Sequence, residues 1–128
     1  LQLVEPLGFD LNNKKLRRAG LDYHEWAEVE TQPDLVSACS TGGNIYAIST
    51  RGSRSYTDAC IRAGDTLVFG PETRGLPDSY LDSLDPRRIL RIPMLKNSRS
   101  LNLSNAVAVV VYEGLRQNNF TDETVKLL

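Results

Sequence analysis

Two short apolar runs constrain the fold of this chain more than any other feature of its sequence. Residues 45–48 and 66–69 are almost continuously apolar, and glycine or polar residues bound both runs. Strands with this pattern are buried on both faces, as in a parallel sheet, and such sheets need helices on both sides. A third run, residues 89–92, resembles them. The sequence therefore predicts an α/β fold with a mostly parallel sheet and flanking helices.

Two helices are predicted around the third strand. Residues 77–84, together with Leu76 just before them, place four apolar side chains on one helical face, namely those of Leu76, Tyr80, Leu81 and Leu84. With the strands on either side, this segment forms a βαβ unit. Residues 104–117 contain several valines that would suit a strand, but about 14 residues is long for one. Because Ser104 or Asn105 can cap a helix, we predict a buried helix there.

The first part of the chain has weaker patterns. Residues 1–4 predict a strand that ends in a turn at 5–8, and residues 26–29 predict another short strand. Residues 12–20 predict a short helix with capping asparagines, a terminal glycine and four positive charges. Residues 33–38 predict a short helix with proline in its first turn. No composition shift separates these segments from the rest, so residues 1–128 are predicted to form a single domain.

Composition restricts the class of function. Fifteen Lys and Arg residues oppose sixteen Asp and Glu residues, so the net charge of −1 lacks the basic excess of a nucleic-acid binder, and any RNA contact must be local. The longest apolar run, residues 106–111, is far below the roughly 20 residues that cross a bilayer, which predicts a cytosolic protein without membrane association. Cys39 and Cys60 have no CxxC spacing, so we expect two buried thiols and no zinc site.

The loop at residues 69–77 carries the strongest local signal for a ligand. Gly70, Pro71, Gly75 and Pro77 follow a predicted strand at its carboxyl end, where ligands bind in open α/β sheets. Glycines let the backbone approach a ligand closely, while prolines hold the loop in shape. GxGxxG and P-loop motifs are both absent from it. A rigid connector without a ligand remains the alternative interpretation.

A second unusual loop covers residues 92–105. It also follows a strand and precedes a helix, and it is dense in hydroxyl and amide side chains that can bind a polar ligand without charge. The alternative is that these side chains only cap the helix and form turns. The residues leave both interpretations open.

Other chemically capable residues give weaker signals. His24 is the only histidine and no GxSxG motif accompanies it, so a structural or surface role is favoured over a hydrolase. Asp78, Asp82 and Asp85 fit a solvated helix face better than a glycosidase carboxylate pair. Four cations form the densest charge cluster and bind phosphates or simply face solvent: Lys14, Lys15, Arg17 and Arg18.

Several of these motifs together resemble a known family. Residues 69–77 (Phe-Gly-Pro-Glu-Thr-Arg-Gly-Leu-Pro), 92–94, 98–105 and 109–113 closely resemble motifs two and three of the SpoU branch of SPOUT methyltransferases, in spacing and in order. Residues 16–24 resemble a segment typical of the small bacterial tRNA wobble-position cytidine/uridine 2′-O-methyltransferases. The likeness therefore covers nearly the whole chain.

The resemblance implies a fold and an activity that the residue patterns do not reach. It implies an α/β fold with a deep C-terminal trefoil knot, a homodimer, and transfer of a methyl group from S-adenosyl-L-methionine to a ribose 2′-hydroxyl of tRNA. The product would be S-adenosyl-L-homocysteine, and no metal is required. The family's first motif, an Asn-rich turn and helix with an arginine that helps to activate the ribose hydroxyl, would precede Leu1, so we expect that segment to be missing here.

The resemblance also implies which residues form the site. Ile48, Gly70, Ile92 and Ser100 match cofactor contacts, and three further residues lie close by in the motifs: Gly75, Leu76 and Leu101. Four residues match polar or functionally placed positions of the active site: Glu72, Ser100, Asn102 and Tyr112. RNA binding is expected at Lys14, Lys15, Arg17 and Arg18. A non-catalytic RNA- or nucleotide-binding module is the alternative function.

Overall fold

The computed structural model describes residues 1–7, 29–39, 42–96, 98 and 100–121. The predicted helix at 12–20, its four cations and His24 lie outside the described residues. The chain divides into two compact units, Leu1–Thr41 and Gly42–Leu128. Each unit has its own sheet.

The first unit contains a two-stranded parallel sheet. Strand β1 (Gln2–Val4) pairs with β2 (Glu30–Gln32), and Gln2 lies opposite Glu30. The predicted strand at 1–4 is thus confirmed, whereas the second strand lies beyond the predicted 26–29, of which the structure describes Val29 alone.

Helix α1 (Leu35–Ala38) follows β2 and is shorter than predicted. Its N-cap is Asp34, whose carboxylate accepts a hydrogen bond from the Ser37 amide at 2.8 Å. Because this side chain satisfies an amide of the first turn, the helix begins after Asp34. Pro33 therefore precedes the cap, and its predicted place in the first helical turn was wrong.

The second unit contains a four-stranded sheet in the order β4-β6-β3-β5, and every pair is parallel. The strands are β3 (Ile45–Ile48), β4 (Arg54–Ser55), β5 (Thr66–Phe69) and β6 (Ile89–Arg91). Both runs that predicted buried strands, 45–48 and 66–69, are confirmed and pair with each other along their full length. The third strand ends one residue before the predicted Ile92. The α/β fold with a parallel sheet is therefore confirmed.

Short helices connect these strands. Helix α2 (Asp78–Asp82) joins β5 to β6. Two 3-10 turns also occur in this unit: Tyr56–Asp58 lies between β4 and β5, and Pro86–Arg88 lies between α2 and β6. Strands β5 and β6 both pair with β3 in parallel, one on each side of it, so they are parallel to each other and the predicted βαβ unit is confirmed. The helix occupies only the middle of the predicted 77–84, and Leu81 anchors it at 2% exposure.

Helix α3 (Leu103–Gln117) is the longest element that the structure describes. The predicted helix is confirmed, but it is only partly buried, whereas a buried helix was predicted. Val110 and Gly114 are buried, whereas Val109, Val111 and Tyr112 are exposed. Residues four apart share a helical face, so packing on the sheet buries a single stripe and leaves the neighbouring valines outside it.

The start and the end of α3 are both fixed by side chains. Asn102, rather than the predicted Ser104 or Asn105, is the N-cap, and its Oδ1 accepts a hydrogen bond from the Ser104 amide at 3.0 Å. At the other end, Gln117 Oε1 accepts from the Ile61 amide at 2.8 Å, and Asn118 Nδ2 donates to the Ile61 carbonyl at 2.9 Å. The C-terminal end of the helix is therefore attached to the segment that precedes β5.

The core of the second unit lies between the sheet and α3. Its buried members are Tyr46, Ala59, Ile61, Leu90 and Val110. A Cβ at Gly114 would lie 3.3 Å from Ile61 Cγ2, so the glycine allows a close approach of the helix to Ile61. None of the helices in the described ranges is long and apolar enough to cross a membrane. Cys60 is exposed and Cys39 half-buried, so the prediction of two buried thiols is wrong. Cys39 is the C-cap of α1, and Cys60 lies between Ala59 and Ile61, which occupy the core in its place.

Candidate functional site

A cavity of about 310 Å³ opens at the carboxyl ends of three neighbouring strands. Residues that directly follow β3, β5 and β6 line it, together with the first turn of α3. Because the three strands are parallel and adjacent, their carboxyl ends meet at one edge of the sheet. Small-molecule sites typically have volumes from about 300 Å³ upward. The topology thus produces a cavity of suitable size at the edge where an α/β sheet binds ligands.

The structure brings together all seven residues that the family resemblance assigned to the cofactor. Each of them lines the cavity: Ile48, Gly70, Gly75, Leu76, Ile92, Ser100 and Leu101. They come from three loops separated by up to about fifty positions in the sequence, so only the fold places them together. Their contact with a cofactor stays a prediction.

Gly70 and Gly75 shape the loop at residues 70–77 in different ways. A Cβ at Gly70 would lie 2.2 Å from the backbone carbon of Gly75 and 2.3 Å from the backbone nitrogen of Leu76. Gly70 therefore permits the loop to fold back on its own backbone, which is a different reason from the predicted approach to a ligand. Gly75 has a φ of +68° and open space at its Cβ position, so it is required by conformation.

A hydrogen bond joins the two loops that the sequence singled out. Asn102 Nδ2 donates to Glu72 Oε1 at 3.1 Å. The Oδ1 of the same amide caps α3 through the Ser104 amide at 3.0 Å and accepts from the Ser104 hydroxyl at 2.5 Å. Asn102 thereby uses both ends of its side chain, and the Glu72 carboxylate is oriented at the cavity wall.

The other predicted active-site residues occupy different positions. Ser100 lines the cavity and is exposed, so its hydroxyl is available to a ligand. Tyr112 lies on α3, is 66% exposed and is not among the lining residues. The structure therefore places Glu72 and Ser100 at the cavity and Asn102 in contact with Glu72. Tyr112 lies on α3, outside the cavity lining.

Sequence reasoning missed part of the cavity wall. Ser49 and Thr50, in the turn after β3, line the cavity with two hydroxyl groups. Ser49 is fixed because its amide donates to the Leu90 carbonyl at 2.9 Å. The signal was present, since these residues follow a predicted buried strand just as residues 70 and 92 do. Met94, Leu103 and Ala106 add apolar wall; Met94 and Leu103 lie within the matched segments 92–94 and 98–105, but none of the three was assigned a role.

The charges around the cavity are mixed. Glu72 supplies a carboxylate, while Arg74 and Arg91 supply guanidinium groups among the lining residues. Apolar side chains form much of the remaining wall, including Ile48, Phe69 and Ile92. A ligand with an apolar ring and a charged or polar end would find partners for both.

A larger hollow of about 730 Å³ lies at the opposite end of α3, beside Cys60, Arg62 and Asn118. It borders the segment that precedes β5, at the amino ends of the strands, and it is more open to solvent. Its walls contain none of the two signal-bearing loops. The cavity at the carboxyl ends is therefore the better candidate, although it is smaller. In the described part of the chain, no group of three or more His, Cys, Asp or Glu side chains is placed to hold a metal ion.

Comparisons with known proteins agree with the sequence motifs. The sequence model of the SpoU rRNA Methylase family matches residues 1–112. A tRNA (cytidine(34)-2′-O)-methyltransferase from Methylovorus glucosotrophus (strain SIP3-4) is 47% identical over 122 residues, which cover 94% of this chain and 79% of that protein.

Solved structures have similar folds. One solved structure, described as giving structural insights into the 2-OH methylation of C/U34 on tRNA, matches with a TM-score of 0.83 and 42% identity. The match covers 94% of this chain and 79% of the other. A SpoU methyltransferase from Streptomyces viridochromogenes, in complex with the cofactor AdoMet, matches with a TM-score of 0.72 over 94% of this chain and 50% of the other. Its identity of 23% shows the shared fold alone.

Proposed function

Because this chain belongs to the SpoU rRNA Methylase family, we propose that it transfers a methyl group from S-adenosyl-L-methionine to the ribose 2′-hydroxyl of a tRNA nucleotide. The modified nucleotide is the cytidine or uridine at the wobble position of the anticodon. The similarity to enzymes named tRNA (cytidine(34)-2′-O)-methyltransferase, at 47% identity over most of both chains, carries this conclusion. A non-catalytic binding module is not favoured, since those relatives are named as enzymes.

The cavity suits S-adenosyl-L-methionine as the cofactor. Ile48, Ile92 and Leu101 offer apolar surface for an adenine ring, and the folded loop at residues 70–77 offers backbone groups for the polar parts. Ser49 and Thr50 add hydroxyl groups that can hydrogen-bond a ribose or the methionine end. When bound, the cofactor supplies an electrophilic methyl group on a sulfonium.

The residues of this chain would align the substrate and help a proton to leave. Methyl transfer to an oxygen is an in-line displacement, so positioning of the attacking hydroxyl contributes much of the rate. Ser100 can hydrogen-bond substrate or cofactor from the cavity wall. Asn102 holds Glu72 through Oε1, which leaves Oε2 of the exposed carboxylate able to accept a hydrogen bond or a proton. Glu72 is thus the described carboxylate best placed to act on a substrate hydroxyl.

Further properties follow as proposals from the same family membership. We propose that residues 1–128 form one methyltransferase domain with a C-terminal trefoil knot, supported by a family match that covers residues from both units. We also propose a homodimer, since exposed apolar side chains on α3 offer a surface for a second copy: Val109, Val111 and Tyr112. The role predicted for Tyr112 would then belong to that interface. A tRNA substrate supports a cytoplasmic location.

Two measurements test the proposed function. Calorimetry with S-adenosyl-L-homocysteine should give saturable binding that is lost when the cavity loop is disrupted. Tritium transfer from labelled cofactor should reach tRNA with an unmodified residue 34, and a matched tRNA with a 2′-deoxyribose at position 34 should accept none. Binding of cofactor and tRNA without transfer would support the non-catalytic alternative, and equal labelling of both tRNAs would contradict the assigned nucleotide.

A further inference from the structure

Arg51 makes the most extensive ion-pair contact near the cavity, and the proposed chemistry does not use it. Its Nη1 donates to Asp78 Oδ1 at 2.6 Å, and its Nη2 donates to Asp82 Oδ1 at 3.1 Å. Asp78 and Asp82 are the first and last residues of α2, so they lie four positions apart on one face of the helix. These hydrogen bonds raise the pKa of Arg51 above its ordinary value. One guanidinium therefore bridges the whole length of α2.

The turn that carries Arg51 is firmly attached to the sheet. The Ser49 amide donates to the Leu90 carbonyl at 2.9 Å, and the Gly52 amide donates to the Ser49 carbonyl at 3.1 Å. A Cβ at Gly52 would lie 2.7 Å from the Ile89 carbonyl oxygen, so the turn lies tightly against β6. The backbone at Arg51 is therefore fixed relative to the sheet, and the Arg51 side chain can restrain the position of Asp78 and Asp82.

The partners of Arg51 lie directly after the cavity loop. Pro77, the last residue of the loop, is the N-cap of α2, and its carbonyl accepts from the Tyr80 and Leu81 amides at 3.1 Å each. A displacement of Asp78 would therefore move the end of the loop. Ser49 and Thr50, just before Arg51, and the loop up to Leu76, just before α2, both line the cavity, so the Arg51 bridge joins two segments that directly adjoin lining residues.

We propose that Arg51 is a positioning residue for the cofactor site, which rests on the proposed function. Its two ion pairs hold α2, and with it the loop at residues 70–77, at the separation from Ser49 and Thr50 that cofactor binding needs. Arg51 is not among the lining residues, so its effect is exerted through the loop rather than through contact with the ligand.

The expected effect is moderate, because the three side chains are 50%, 82% and 67% exposed. Exposed ion pairs contribute little individually, but a two-pronged arginine contact is more favourable than a single pair. Replacement of Arg51 by Gln should therefore weaken S-adenosyl-L-homocysteine binding by about two- to fivefold. Arg51→Lys should restore part of the loss, since an ammonium can pair with one carboxylate at a time.

Calorimetry of four variants tests the bridge. If Arg51→Gln and Asp78→Asn weaken binding through the same contact, the double variant should bind no more weakly than the weaker single variant. Arg87→Gln is the matched control, because it removes the exposed 2.9 Å ion pair with Asp85, away from the cavity. Affinity in Arg51→Gln equal to that of the wild type, or fully additive losses in the double variant, would overturn the proposal.

Amide hydrogen exchange gives a readout that needs no cofactor. The Gly75 amide donates to the Pro71 carbonyl at 2.8 Å within the loop, so its exchange rate reports loop order. In Arg51→Gln this amide should exchange about two- to fivefold faster, while the Val68 amide of β5 keeps its rate. An equal acceleration at both sites would show a general loss of stability instead. If the wild type fails to bind S-adenosyl-L-homocysteine, the proposed function fails, and unchanged Gly75 exchange would separately refute the bridge.

Discussion

Gly70 and Gly75 lie in one loop, but the chain needs them for different reasons. The loop backbone passes within 2.2 Å of the Cβ position of Gly70, whereas the Cβ position of Gly75 is open and its φ of +68° sets the requirement. Steric exclusion at one position and a left-handed backbone at the other combine to fold the loop over the cavity. Each substitution therefore predicts a distinct failure.

We expect Gly70→Ala to abolish or strongly weaken S-adenosyl-L-homocysteine binding, because the added methyl group forces the loop backbone apart at Gly75 and Leu76. Gly75→Ala should cost about 1–2 kcal/mol of stability from the left-handed conformation. The matched control is Gly64→Ala, at a φ of +88° with no atom near its Cβ position. It should lower stability similarly in urea denaturation and leave affinity unchanged. Unaltered affinity in Gly70→Ala would refute this account of the loop.

Glu72 combines a structural contact with a chemical opportunity, and Glu72→Gln separates them. The amide oxygen of Gln can still accept the hydrogen bond from Asn102, so loop order and cofactor affinity should stay near wild type. The negative charge is lost, so kcat for methyl transfer should fall by about 100-fold if the carboxylate takes the proton. Steady-state kinetics and calorimetry measure the two quantities. Wild-type kcat in Glu72→Gln would assign Glu72 to loop positioning alone.

At the scale of secondary-structure elements, sequence patterns predicted the strands whose side chains are buried. Strands β3 and β5 were predictable because a short, continuous apolar run in an α/β domain is typical of a strand that is buried on both faces of the sheet. Strand β4, with Arg54 and Ser55, has no such pattern and exists because its backbone pairs with Leu90 and Arg91 of β6. Pairing of this kind depends on tertiary contacts that two polar residues do not encode locally.

The site was predictable to a similar extent. The seven residues predicted to contact the cofactor all line the cavity, because they lie in glycine-rich and hydroxyl-rich loops that follow neighbouring strands. Motif matching missed Ser49 and Thr50, whose residue types are ordinary and whose importance comes from following the central strand β3. Tyr112 is exposed on α3 and is not among the lining residues, and its role stays a prediction, because the face of α3 that is exposed depends on how the helix packs.

Helix α3 carries a pH-sensitive contact at its end. Glu113 accepts hydrogen bonds from Arg116 at 2.7 and 2.8 Å and from Gln117 at 2.8 Å, and these bonds lower its pKa from 4.5 to about 2. Its side chain is 10% exposed but that of Arg116 is 65% exposed, so solvent partly screens the contact and its contribution to stability is modest. Because the folded pKa is depressed, the stabilisation is present above about pH 4.5 and is lost as pH falls toward 2.

We therefore expect Glu113→Gln to destabilise the protein by about 1 kcal/mol at pH 7 and by much less near pH 2. Urea denaturation of both proteins across this range measures the difference. The control is Asp85→Asn, which removes a carboxylate whose pKa Arg87 also lowers, but whose side chain is 39% exposed. It should change stability less at either pH. A constant gap between wild type and Glu113→Gln from pH 7 to 2 would contradict the titration argument.

At the scale of the whole molecule, the charge balance limits how RNA is bound. Fifteen cationic and sixteen acidic residues leave a net charge of −1, so the protein as a whole does not attract a polyanion. Affinity for tRNA must come from places where cations are concentrated. The sequence offers one dense group at Lys14, Lys15, Arg17 and Arg18, outside the described residues, and the cavity rim adds Arg74 and Arg91. These two groups are the candidates for phosphate binding, the first at a distance from the cofactor residues in sequence and the second at the cavity itself.

Substitution of the cations at residues 14–18 distinguishes the two groups. Replacing Lys14, Lys15, Arg17 and Arg18 by Ala should weaken tRNA binding and make it less sensitive to salt, since each lost phosphate contact removes about 0.7–0.9 from the slope of log K against log salt. Affinity for S-adenosyl-L-homocysteine should not change, because the residues that the family resemblance assigns to the cofactor lie in other segments of the sequence, from Ile48 to Leu101. A variant with Arg62 and Arg87 replaced by Ala controls for charge loss in general, and its slope should change less per charge removed. Filter binding of tRNA from 50 to 200 mM salt gives the slopes. If the slope of the fourfold variant equals that of wild type, the cluster is a solvated surface, and the phosphate contacts must be sought around Arg74 and Arg91 instead.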